Sequence, residues 1–173
     1  MRLSALSPGV LALAFLITAC AGGGSAEEYF AQLETVTGTL DAELDDLEAA
    51  FNAGLLDISF ETADAEGDLI ALFQESLAET AGSFNRLVNG LRSIDPPAGI
   101  ADPHAEALQA GERVLSEYRA REDQLASLAT LADLDNYAAG FSAGGFRQRF
   151  TEACRELQTI ADQDNIAADL GCS

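Results

Sequence analysis

"LRSIDPPAGIADPHAEAL", residues 91–108, decides how this chain folds. Upstream of it, Leu69, Phe73, Leu77, Phe84, Leu87, Leu91 and Ile94 recur in steps of three, four and seven. That spacing lays one apolar face along a helix from about Asp68. Pro96 and Pro97 then end the helix, because proline has no amide proton to donate and restricts the residue before it. Asp102 is placed to cap a new helix, and Pro103 suits its first position. Leu108, Leu115, Tyr118, Leu125 and Leu128 line that third helix. Two one-sided helices joined by a short connection must fold back on each other to bury their stripes.

The same pattern extends outward. "SAEEYF" opens a first helix, with Ser25 and Glu28 at capping-box spacing. Phe30, Leu33, Leu40, Leu44, Leu47 and Phe51 form its apolar stripe, and Gly54 is the expected stop. "LLDISFETADAEGD" reads as either loop or broken helix start. Downstream, "DLDNYAAGFSAGG" is expected to break the third helix. A fourth then runs from about Phe146 with Phe150, Ala153, Leu157 and Ile160 inward. The expected class is all-α: an antiparallel four-helix bundle over residues 27–173, with a C-terminal tail pinned by a disulfide. Gly82, Gly90 and Gly111 either leave space between helices or permit close packing.

The N-terminus says where such a chain would reside. "MRLSALSPGVLALAFLITAC" has one basic residue, Arg2, then an apolar run from about Val10 to Ala19, then Cys20. The run is about half of the roughly 20 residues a membrane-spanning helix needs. It has the length of a secretory signal. Ile17-Thr18-Ala19-Cys20 resembles the lipobox of bacterial lipoproteins, which implies a signal peptide over 1–19 and lipid on Cys20. Residues 20–26 then supply the attachment cysteine and a Gly/Ser tether. Six flexible residues, Ala21 to Ala26, have an r.m.s. span of roughly 13 Å.

Removing 19 of 173 residues leaves 154, enough for one domain with a core. The 48% hydrophobic content sets the chain apart from a disordered polyanion despite its charge. All nine basic residues are arginine, against 29 acids. The loss of Arg2 would take the net charge from −20 to −21. Such a field repels nucleic acid and anionic lipid head groups. It attracts divalent cations weakly and without a built site, because the acids are spread along the whole chain.

The sequence contains no P-loop, G-x-G-x-x-G or C-x-x-C-H, and Gly140-Phe141-Ser142-Ala143-Gly144 has the G-x-S-x-G spacing without the strand that leads into a nucleophile elbow. His104 is the single histidine. With Asp102 and Glu106 it has the donor types of a metal site, but neighbouring helical residues do not converge on one point, so a first-turn histidine is the expectation. "TADAEGDLIALF" puts Asp64, Glu66 and Gly67 at three positions of a calcium loop, yet Thr62 and Phe73 stand where its first and last acids belong. No cofactor and no enzymatic activity are expected.

Several pieces together resemble a group of uncharacterised bacterial lipoproteins that are exported, acidic and helical. They are the lipobox ending at Cys20, "EEYFAQLE", "LRSIDPP" followed by "DPHAEAL", and "EACRELQ…NIAADLGC". The resemblance implies a bundle and a lipid anchor, and no catalytic residue.

Export favours persistent disulfides, and lipidation of Cys20 would leave two thiols. From a helix end near Asp164, Cys154 lies roughly 15 Å back. The eight residues from Asn165 to Cys172 reach up to about 26 Å. A Cys154–Cys172 bridge is therefore expected, with free thiols or an intermolecular bridge as the alternatives. The functional expectation is a membrane-tethered, extracytoplasmic interaction or adaptor module with a protein partner in the envelope. The alternative is a small-ligand or cation binder with its site inside the bundle. A closed core would favour the first, and a sizeable inter-helix cavity the second.

Overall fold

The computed structural model describes residues 24–61, 64–140 and 143–172. The signal and lipobox, with Cys20, and Thr62 of the calcium-loop comparison lie outside the described residues, and so does the side chain of Phe146. Five helices follow in order: α1 (Ala26–Asp57), α2 (Ala65–Ser93), α3 (Ala101–Leu125), α4 (Leu131–Gly140) and α5 (Ala143–Gln163). The four long ones form the antiparallel bundle that the apolar periodicity predicts. Antiparallel pairing shows in the cross-links. Arg86 of α2 ion-pairs with Glu43 of α1, and Arg92 with Glu112 of α3, each at 2.7 Å. Nearer the other end of α2, Gln74 donates to the Leu125 carbonyl.

α1 opens as its sequence indicates. Ser25 Oγ accepts from the Glu28 amide at 3.2 Å, and Glu27 and Glu28 face the positive end of the helix dipole. Three boundaries differ from expectation. Gly54 does not stop α1, which continues to Asp57. A Cβ at Gly54 would lie 2.6 Å from Leu72 Cδ1, so the glycine serves close packing against α2. α2 begins at Ala65 rather than Asp68, with Asp64 in the capping place but making no side-chain cap. α3 begins at Ala101, which makes Ile100 the residue before the helix and leaves Asp102 and Pro103 inside the first turn. Pro103 is tolerated there because first-turn amides have no intrahelical acceptor to lose.

The fourth difference is α4, which occupies much of the stretch read as a break. Its start is a reciprocal cap. Asp133 Oδ2 accepts from the Thr130 amide at 3.1 Å, and Thr130 Oγ1 accepts from the Asp133 amide at 3.1 Å. Thr130-Leu131-Ala132-Asp133 is thus a capping box with aspartate in the acid place. Glu66 of α2 accepts from the Leu131 amide and ties this turn to the bundle. Ile70, Leu125 and Leu134 form a small second core beneath α4.

The main core is packed at the other end of the bundle. Phe30, Leu33, Leu87, Val88, Leu91 and Leu157 are almost wholly enclosed there. Gly90 allows a second close approach of α1 and α2, since a Cβ would sit 2.8 Å from Val36 Cγ1. Successive long helices pack on one another, α1 on α2, α2 on α3 and α3 on α5. The seam between α1 and α5 is filled in part by the C-terminal tail.

That tail turns back as the cysteine spacing requires. Asn165 adopts φ 56° just past α5, the Asn165 amide donates to Asp162 and the Ile166 amide to Ala161. This is the Schellman arrangement, with asparagine supplying the left-handed residue. Gln158 then holds the returning strand from both sides: its Nε2 donates to the Ala168 carbonyl and its Oε1 accepts from the Leu170 amide, each at 2.9 Å. Leu170 is buried, the Asp169 amide reaches Glu34 of α1, and Gly171 lies against Asp41 with φ 59°. A side chain at Gly171 would strike the Asp41 carboxylate as well as strain the backbone. The Cys154–Cys172 disulfide closes the return, with Cα atoms 5.6 Å apart.

Candidate ligand cavity

The sequence assigns Leu44, Leu47 and Phe51 to the core, but all three are only half-buried or lie along an opening. The reason is geometric. The tail fills the α1–α5 seam only as far as Gly171 and Cys172, beside Asp41. Further along α1 the described residues cover the apolar stripe only in part. The result is a cavity of about 830 Å³, within the range of small-molecule sites.

Every helix contributes to its walls. α1 supplies Leu40, Leu44 and Phe51, and α2 supplies Phe73, Leu77 and Phe84. Tyr118 comes from α3, Leu134 and Tyr137 from α4, and Arg147, Phe150 and Thr151 from α5. The tail adds Leu170, so the disulfide-held return forms part of the wall. Aromatic rings brace the interior. Phe84 stacks on Tyr118 at 5.3 Å and meets Phe150 edge-on at 6.4 Å. Phe51 and Phe73 meet edge-on at 5.0 Å across the α1–α2 side.

Arg147 is the one basic residue in this lining. Its guanidinium lies 5.5 Å from the Phe84 ring centre and 5.9 Å from that of Tyr118. Its Nε is buried and makes no hydrogen bond, and among the described residues no carboxylate ion-pairs with it. Burial raises the Tyr118 phenol pKa, and the adjacent Arg147 offsets part of that rise. On the α1 side, Asp41, Asp45 and Glu48 edge the opening. Burial, then the neighbouring Asp45 and Asp169, pushes the Asp41 carboxyl above its ordinary value.

His104, Asp64 and Glu66 take no part in the cavity. His104 is in the first turn of α3 as expected, but it is 5% exposed and part of the core. Its Nδ1 lies 3.0 Å from the Tyr29 hydroxyl. Tyr29 is itself enclosed, with its phenol pKa raised by burial. The pair ties α1 to α3 through neutral groups. Glu66 holds the start of α4, and Asp64 precedes α2. Among the described residues, no three His, Cys, Asp or Glu side chains are grouped to hold a metal.

Burial holds the His104 pKa below its ordinary value, so below about pH 6.5 the unfolded chain takes up a proton that the folded one resists. The stability due to neutral His104 is therefore complete above that pH and is lost as pH falls. Against His104→Gln, which does not titrate, the wild-type advantage in urea unfolding should shrink between pH 7.5 and pH 5.5. An advantage that stays constant would show that His104 is protonated as easily in the folded chain. The comparison cancels the titration of the many carboxylates.

No protein-family model, curated protein or solved structure matches this chain.

Proposed function

We propose that this is a lipid-anchored, extracytoplasmic bacterial lipoprotein that binds a small, largely apolar ligand between α1 and α5. The observation that carries the reading is the cavity of about 830 Å³, lined by Leu and Phe side chains of the apolar stripes, several of them only partly buried. Leaving such a stripe open to water is costly, at about 25 cal/mol per Å² of apolar surface. A ligand that covers it recovers that cost. The anchor is supported by the lipobox at Ile17–Cys20. The extracytoplasmic placement is supported by the Cys154–Cys172 bridge, since such bonds persist in oxidising compartments. Among the described residues no helix is long and apolar enough to cross a membrane.

The adaptor reading keeps one supporting observation. Leu56 in the last turn of α1 and Phe60 in the connection to α2 are 87% and 67% exposed. α1 is 32 residues long, so this tip stands roughly 48 Å from the end where the tether enters. A protein partner reaching down from the envelope would meet it first.

Native mass spectrometry of the protein extracted from its own cell envelope tests both parts. The expected spectrum shows a covalent lipid increment that Cys20→Ser removes, and a dissociable small molecule retained by wild type. An unlipidated chain refutes the anchor. A lipidated chain that never carries a small molecule favours the adaptor.

A further inference from the structure

We infer that the cavity selects amphiphiles bearing a single negative charge, with the apolar body along α1 and the anionic head on Arg147. The inference rests on the ligand-binding reading above and adds the chemical class. Three observations carry it. First, the walls contributed by Leu40, Leu44, Leu77 and Phe150 are apolar, and the row from Leu40 to Phe51 runs roughly 16 Å along α1. That is room for a medium-length acyl chain or an elongated ring system.

Second, Arg147 brings a permanent positive charge to this lining. Its guanidinium is held against two rings, and its Nε is buried without a hydrogen-bond acceptor. A carboxylate fits the outer edge of the planar guanidinium fork, its two terminal nitrogens, through two parallel hydrogen bonds and without needing the enclosed Nε. The aromatic seat fixes the fork before the ligand arrives, so little ordering remains to be done on binding.

Third, the charge layout opposes other classes. Asp41, Asp45 and Glu48 edge the α1 side of the opening, and the protein as a whole is strongly negative. A polyanion such as a nucleotide or an oligophosphate meets this rim and a single compensating arginine. A monoanion with a long apolar body gains enough from burial to offset the weaker, salt-screened repulsion at the rim.

Three probes with the same chain separate the possibilities: dodecanoate, dodecanol and dodecyltrimethylammonium. They are titrated into the exported chain carrying Cys20→Ser, which retains every described element, with the Cys154–Cys172 bridge formed. Dodecanoate is expected to bind one molecule per chain, about ten- to a hundredfold tighter than dodecanol, the range of a hydrogen-bonded charge. Arg147→Met should bring dodecanoate binding down to the level of dodecanol, with the helical circular dichroism of the variant showing that it folds. Arg147→Lys should retain part of the preference.

Equal affinity for dodecanoate and dodecanol, unaffected by Arg147→Met, overturns the anion inference but leaves the cavity as an apolar site. Tightest binding of dodecyltrimethylammonium overturns it in favour of the acidic rim. Saturable binding of none of the three removes the ligand-binding reading itself.

Discussion

Replacing Cys154 and Cys172 together by alanine is expected to lower the unfolding free energy by about 3 kcal/mol, the value for a loop of this length in the chain-entropy account. The bridge joins positions 18 apart and closes a return that also buries Leu170. Without it, the Gln158 hydrogen bonds and the left-handed Asn165 still direct the tail backwards. They reach only as far as the Leu170 amide, however, and Gly171 and Cys172 lie beyond them. The tail should therefore fray from its C-terminus, exposing Leu170 and opening the cavity wall. Urea unfolding of the double variant against oxidised wild type measures the loss, and amide exchange at Leu170 and Gly171 locates it. A loss below about 1 kcal/mol with both amides still protected would mean that packing alone holds the tail.

Phe84→Ala is expected to cost about 3–5 kcal/mol, the range for deleting a buried phenylalanine. Phe84 is 2% exposed and touches three functions at once. It stacks on Tyr118, meets Phe150 edge-on and seats the Arg147 guanidinium. Its removal enlarges a cavity that is already present, so the neighbours have little to collapse onto. Chemical denaturation measures the effect. A loss under about 1.5 kcal/mol would show that the aromatic cluster rearranges freely and that Arg147 is not held in place.

The two effects separate what was legible in the sequence from what was not. The long helices and the tail were legible because their causes are local or one-dimensional. Apolar spacing, the Ser25 cap and the reach of the residues after Asp164 all act along the chain. The exact ends were less so, because tertiary contact overrode local preference. Gly54 sits inside α1 on account of Leu72, a residue of another helix. α4 was missed although Thr130 and Asp133 carry a capping signal, since the glycines and polar residues around it suggested a break.

The cavity was not legible at all. Leu44, Leu47 and Phe51 have the same spacing as Phe30, Leu33 and Leu40, and the pattern cannot say which half of a stripe is covered. That depends on where the tail stops and on where α4 leaves the bundle. His104 shows the same limit. Its place in the first turn of α3 was readable, whereas its partner Tyr29 lies 75 residues away. Arg147 gave no signal either, because an arginine in "FRQRF" reads as a solvated helix residue until its rings are seen.

The central claim is that the opening between α1 and α5 is a binding site. Titration of the exported chain carrying Cys20→Ser with a neutral apolar dye such as Nile red tests it most directly, alongside a Thr151→Trp variant that fills the opening from α5. The account predicts saturable binding of one dye per chain by the parent and none by Thr151→Trp at an unchanged melting temperature. Saturable binding that Thr151→Trp leaves intact, or no saturable binding to either protein, would contradict it.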